Sequence, residues 1–74
     1  MKFEYGDKVT VVNLPECEIL GKIGTVRGIA ISLPDIIRED VIIDTNHYII
    51  QFDAILENGF DCIQITAVCL EYTV

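Results

Sequence analysis

Four side chains of this 74-residue chain have the chemistry for nucleophilic, acid–base or metal-binding work: Cys17, Cys62, Cys69 and His47. Their spacing assembles none of it. A structural zinc site wants cysteines paired two to four residues apart, repeated or matched by histidines. Here Cys62 and Cys69 stand seven apart with no C-x-x-C, and the chain holds a single histidine. No metal and no cofactor are expected. Cys17 lies between Glu16 and Glu18 and is expected to be a poor nucleophile, because negative neighbours oppose the thiolate that does the chemistry. His47 sits in "DTNHY", a turn entering a strand. No motif pairs it with Cys62 or Cys69, and no oxyanion-hole signature accompanies it. The cysteines are read as small apolar residues and His47 as a solvated turn residue. No catalytic residue is assigned, and the chain is expected not to be an enzyme.

The twelve carboxylates are scattered, and none forms the alternating oxygen ladder with a central glycine that calcium requires. The densest stretch is "REDVIID", which holds Glu39, Asp40 and Asp44. Such a run is ordinarily a solvated face. Its sharper reading is an electrostatic docking patch for a basic partner, or an acidic mimic of nucleic acid. Against five basic residues the balance is −7. That charge repels phosphate backbones and anionic lipid, so direct binding to nucleic acid or a membrane is disfavoured. It also keeps a chain that is 51% hydrophobic in solution. "MKFEYGDK" carries charge at once and does not read as a signal peptide. No apolar run approaches the about 20 residues of a spanning helix. Unpaired cysteines suit a reducing compartment, and the cytoplasm is the expected location.

The elements that must position these residues read mostly as strands within one domain spanning residues 1–74, because half of so short a chain could not bury a core. "YGDKVTVV" opens on a Gly-Asp turn and then alternates, with Val9 and Val11 on one face and Lys8 and Thr10 on the other. Pro15 and Gly21 mark the loop that follows. In "KIGTVRGIAIS" the three-residue gap from Val26 to Ile29 breaks the alternation, and Gly28 predicts a bulge that restores the inward face. "HYIIQFDAI" points Tyr48, Ile50 and Phe52 one way, with Ile49 and Gln51 the other. Asn58-Gly59 is a strong hairpin signal before "DCIQIT", where Ile63 and Ile65 share a face. "TAVC" reads as a single tight turn, and "LEYTV" closes with Leu70, Tyr72 and Val74 on one face. Five strands of this length are expected to curl into a small barrel or partly open sandwich that removes exposed edges.

"GDKVTV" followed by "GKIGTVRGI" resembles the opening of KOW-type and related Src-homology-3-like small barrels. In those families a Gly-Asp turn leads into the first strand, and a Gly-basic-apolar-Gly-x-Val element carries the chain into the second. The resemblance implies an all-β fold: a small five-stranded Src-homology-3-like barrel with a single 3₁₀-like turn before the last strand; this chain adds a long insert between strands two and three. It implies a module that contacts RNA or protein. A nucleic-acid-associated KOW-type module is the alternative reading, with Lys8, Lys22 and Arg27 flanking the two signature strands; the net charge of −7 speaks against it.

The insert, residues 32–46, departs most from a simple barrel. Pro34 suits the first position of one or two helical turns; an irregular loop leading to a short strand, "VII", reads equally well. Ile36, Ile37, Val41, Ile42 and Ile43 add more apolar surface than so small an interior absorbs. Either the insert covers one open end of the barrel, or it is an interface. The function expected on this reading is that of a non-enzymatic protein-binding or accessory module. Ile36, Ile37, Val41 and Ile43 form the candidate interface. Glu39, Asp40 and Asp44 are the candidate acidic docking residues. A homo-oligomer formed through the insert is one expected use, and an unidentified protein partner is the other.

Overall fold

Each stretch of alternating apolar residues becomes a strand in the computed structural model, which describes residues 3–73. The order is β1 (Lys8–Val11), β2 (Ile23–Ile31), β3 (Ile36–Arg38), β4 (Val41–Ile43), β5 (His47–Phe52), β6 (Cys62–Thr66), a 3₁₀ turn (Ala67–Cys69) and β7 (Leu70–Tyr72). The molecule is a small, compact all-β domain. It has seven strands among the described residues rather than the five expected, because the insert supplies two of its own. The other five form one antiparallel sheet in the order β6-β5-β2-β1-β7. That sheet is open: β6 and β7 are its two edges and do not pair with each other. No helix among the described residues is long and apolar enough to cross a membrane.

The core lies on one face of this sheet. Val9, Val11, Val26, Tyr48, Ile50, Phe52 and Ile65 are buried there, joined by Phe3, Leu56 and Leu70 from outside the strand interiors. Tyr48, Ile50 and Phe52 point inward together, as their alternation predicts, and Ile49 is turned outward. On the opposite face one polar row crosses four strands in register: Lys8, Thr25, Gln51 and Cys62. The expected bulge is present, with the ladder between β2 and β5 slipping between Val26 and Gly28 and again between Ile29 and Ile31. Asn58-Gly59 turns the chain between β5 and β6 within a longer connection, residues 53–61, whose Leu56 N–H donates to the Phe60 carbonyl and plugs Leu56 into the core. The 3₁₀ turn falls on "AVC" as read. Val74, expected to share a face with Leu70 and Tyr72, lies outside the described residues.

The two glycines of "GKIG" do different jobs. Gly21 has φ +81, a left-handed conformation that ends the β1–β2 connection, and its N–H donates to the Val11 carbonyl. Gly24 lies where β2 crosses β5: a Cβ there would collide with Ile50 Cγ2 and sit 3.1 Å from Phe52 Cδ1, both core side chains. Replacing Gly24 with alanine therefore overpacks the core. Gly24→Ala is expected to lower stability by about 1–3 kcal/mol, read as a lower urea midpoint at an unchanged slope. Gly21→Ala, with open space around it, is expected to cost only its left-handed backbone strain, about 1–2 kcal/mol.

Candidate interaction surface

The insert is a β-hairpin. β3 and β4 pair antiparallel, with Ile36 opposite Ile43, Ile37 opposite Ile42 and Arg38 opposite Val41. The helical alternative for this segment is thereby replaced by two short strands. A two-residue turn joins them, with Glu39 at φ +52 and Asp40 at φ +64. Two left-handed residues in a two-residue loop match the right-handed twist of the flanking strands. The conformation costs strain at Glu39, whereas an aspartate such as Asp40 tolerates it better.

Every residue from 30 through 42 is exposed. Ile37 and Ile42 share one face and are 72% and 68% exposed; Ile36 and Val41 lie on the other face and are exposed as well. Ile43, nearer the base, is half-buried. β3 and β4 pack chiefly on each other, and with both faces exposed the hairpin does not cover an end of the sheet. It stands off as an arm on a domain measuring 39 × 23 × 23 Å. Both of its long edges are unpaired among the described residues. An isolated two-stranded hairpin is marginal in water, so this one depends on how its base is held.

The base is held by a polar latch. Asn46 is 1% exposed. Its Oδ1 accepts from the Leu33 N–H at 2.8 Å, which ties the outgoing chain to the returning one. Its backbone N–H and its Nδ2 both donate to Asp44 Oδ1, at 2.9 and 2.7 Å, and its carbonyl accepts from the Ala67 N–H. Asp44 Oδ2 accepts from the hydroxyl of the fully buried Tyr48 at 2.5 Å, and that hydroxyl in turn accepts from the Phe3 N–H. Thr45 Oγ1 donates to the Pro34 carbonyl. No buried side-chain nitrogen or oxygen among the described residues lacks a partner, so each latch group is satisfied.

The sequence-derived candidates thus separate. Ile36, Ile37 and Val41 come together on the arm, and Glu39 and Asp40 form its tip. Asp44 carries its carboxylate into the latch instead of the exposed rim, and Ile43 lies beside it at the base. Asn46 and Tyr48 were missed as functional positions. The signal for Asn46 was present, because an aspartate accepting from the N–H two residues on is the turn that "D-x-N" favours; what the asparagine side chain then grips is tertiary.

His47 and Cys62, two of the residues first weighed for catalysis, stand apart. His47 opens β5, with its Nδ1 3.3 Å from Gln64 Nε2. Cys62 lies four residues along the same strand pair, roughly 13 Å away at about 3.3 Å per residue. The Cys62 thiol is engaged by Asp61, whose bond and charge push the thiol's pKa up and disfavour the thiolate. Cys69 is buried and Cys17 is exposed. Among the described residues no group of three or more His, Cys, Asp or Glu is placed to hold a metal. Two of the three basic residues of the KOW-type alternative, Lys8 and Arg27, are engaged within the sheet. Lys8 Nζ donates to Thr25 Oγ1 at 2.7 Å. Arg27 Nε donates to Gln51 Oε1, and its guanidinium lies over the Tyr5 ring.

No known protein family, curated protein or solved structure matches this chain.

Three outcomes test the latch and the tip. Asn46→Ala is expected to cost about 1–3 kcal/mol and to speed amide exchange across residues 33–46 well ahead of β1, β2 and β5. Replacing the tip with the residues its conformation favours, Glu39→Asn with Asp40→Gly, is expected to slow exchange within the arm and to stabilise it by about 1 kcal/mol. Burial and then the bond to Asp44 raise the Tyr48 pKa above its ordinary 10.0. The neutral phenol is therefore the form the fold favours: its contribution is complete below pH 10.0 and is lost as pH rises through the folded value. Stability is expected to fall with alkalinity from that point, less steeply in Tyr48→Phe, as read by denaturation midpoints across alkaline pH.

Proposed function

We propose that the chain is a non-enzymatic protein-binding module built on a Src-homology-3-like arrangement, and that the β3–β4 arm is its contact surface. The carrying observation is the exposure of apolar side chains on both faces of an arm whose base is fixed. An apolar surface of this kind marks an interaction site, and a latched arm presents it without a large ordering cost on binding. The Src-homology-3-like reading is supported by the glycine-paced opening and by the single 3₁₀ turn that feeds the last strand. The protein-binding reading is supported by the net charge of −7, which opposes phosphate backbones, and by the internal hydrogen bonds of Lys8 and Arg27.

A photo-crosslinking side chain placed at position 37, in cells expressing the chain, is expected to give discrete protein adducts. The same group at position 64, on the polar face of β6, is expected to give none with other proteins. Ile37→Asp is expected to remain folded within about 0.5 kcal/mol, as exposed substitutions do, and to lose the interaction. Adducts of equal yield at both positions, or an Ile37→Asp chain that fails to fold, would remove the arm from this role.

A further inference from the structure

We infer that the outer edge of β6 takes a second copy of this chain, added antiparallel about a two-fold axis at Gln64, so that two five-stranded sheets become one. The inference concerns a surface other than the arm and does not depend on it.

The ladder shows which backbone groups of β6 are free. In an antiparallel pair, alternate residues exchange both hydrogen bonds with the neighbouring strand, and those between turn theirs away. Just before β6 the Phe52 N–H donates to the Asp61 carbonyl, and just after it the Ala67 N–H donates to the Asn46 carbonyl. Both pairs continue the β5–β6 register. Residues 61, 63, 65 and 67 therefore bond inward, and Cys62, Gln64 and Thr66 turn their N–H and carbonyl groups outward. Among the described residues none of these outward groups has a backbone partner.

The edge also lacks the devices that keep strands from adding to one another, which are charge, proline and bulges. From Cys62 to Leu70 there is no charged residue and no proline, and the β5–β6 register runs without a slip. The other edges carry carboxylates, Glu71 at the centre of β7 and Asp35, Glu39 and Asp40 around the arm.

A second copy fits because the strand, Cys-Ile-Gln-Ile-Thr, is nearly palindromic. Centred on Gln64, the pairing sets Gln64 against itself, Cys62 against Thr66 and Ile63 against Ile65. Every outward N–H then meets an outward carbonyl of the other copy, whereas an axis moved by one residue leaves Cys62 or Thr66 facing beyond the strand. Ile63 is half-buried beside the core, and Ile65 of the other copy covers it. No carboxylate meets another: Asp61, the nearest, is bonded to Gln51 and Cys62 and falls beside Ala67. Phe60 and Val68, both exposed, flank β6 in sequence, and antiparallel pairing brings the Phe60 end of one copy to the Val68 end of the other. A two-fold contact uses the same edge of both copies and closes, so assembly stops at two.

The test is sedimentation of the full chain over a dilution series from about 1 mM to about 1 µM, the range in which a small interface dissociates. Residue-resolved amide exchange is followed over the same series. The mass is expected to double with concentration, and exchange is expected to slow at Cys62, Gln64 and Thr66 while Ile63 and Ile65, already held by β5, stay unchanged. Raising salt from about 0.05 M to about 0.5 M is expected to tighten the dimer, because both copies carry −7. Gln64→Pro removes an outward N–H and no ladder bond, which an edge strand tolerates, and is expected to weaken association about tenfold or more. Cys62→Lys with Thr66→Lys sets like charges directly opposite and is expected to give a monomer, and Cys62→Lys with Thr66→Glu to restore the dimer. This pair decides the matter if Gln64→Pro does not fold. A crosslinker at position 64 is expected to join the chain to itself at twice its mass. A monomer throughout the series would overturn the inference, as would a dimer that salt loosens or that the lysine pair leaves intact. A dimer dissolved by Ile37→Asp, with slowed exchange at β4, would overturn it too and place the second copy on the arm.

Discussion

The Asp44 carboxylate, gripped by Asn46 on one oxygen and by Tyr48 on the other, is the interaction on which the arrangement of the insert depends. Without it the path from Ile31 to His47 would rest on the Thr45–Pro34 bond, the Asn46–Ala67 backbone bond and the short β3–β4 ladder. The carboxylate fixes Asn46, and Asn46 holds the backbone at Leu33, so the two legs of the arm are bound to each other before β3 and β4 begin. Tyr48 carries the connection inward, because its ring meets Phe3 edge-on at 5.4 Å and belongs to the core. A polar cluster under a short hairpin thereby couples a segment that buries almost nothing to one that is tightly packed.

That coupling divides the chain into regions of different physics. In the main sheet, stability comes from burial on one face, and the close crossing at Gly24 shows how little space remains there. In the arm the apolar groups stay in water and stability comes from hydrogen bonds at the base. Local opening follows such differences: regions with few buried contacts and many solvated backbone bonds open first. The arm is by this measure the part of the molecule that opens first.

The main sheet was legible in the sequence because burial on one face writes period two into it. Val9 and Val11, then Tyr48, Ile50 and Phe52, carry that pattern, and each is buried. The bulge at Gly28 was legible for the same reason, as the place where the period slips. The arm carried no such mark. Its strands are three residues long and largely exposed, so "IIR" and "VII" show contiguous apolar residues instead of alternation. Its turn is Glu-Asp, which lacks the asparagine or glycine that usually announces a two-residue hairpin. The apolar excess of the insert was visible in composition; Ile36, Ile37 and Val41 of the candidate interface are exposed, whereas Ile43 is half-buried at the base. Asp44 was counted with the acidic rim because a sequence lists charges and does not say which ones a buried tyrosine will claim. The closed barrel expected from the resemblance gave way to an open sheet, since strand count alone does not fix whether β6 and β7 meet.

The arm's unpaired edges also bear on how the protein behaves in bulk. A short, exposed, isoleucine-rich strand edge is a template on which other strands can add without limit. Here the exposed carboxylates Asp35, Glu39 and Asp40 act as guards, holding like chains apart while the solution is near neutral. The isoelectric point is about 4.3. As acidity approaches it the net charge falls to zero and the repulsion between molecules vanishes, while the apolar edge remains as it was. Fibrillar growth seeded from the arm is then the physical hazard of mildly acidic storage, and the negative charge of this chain is protection against its own insert.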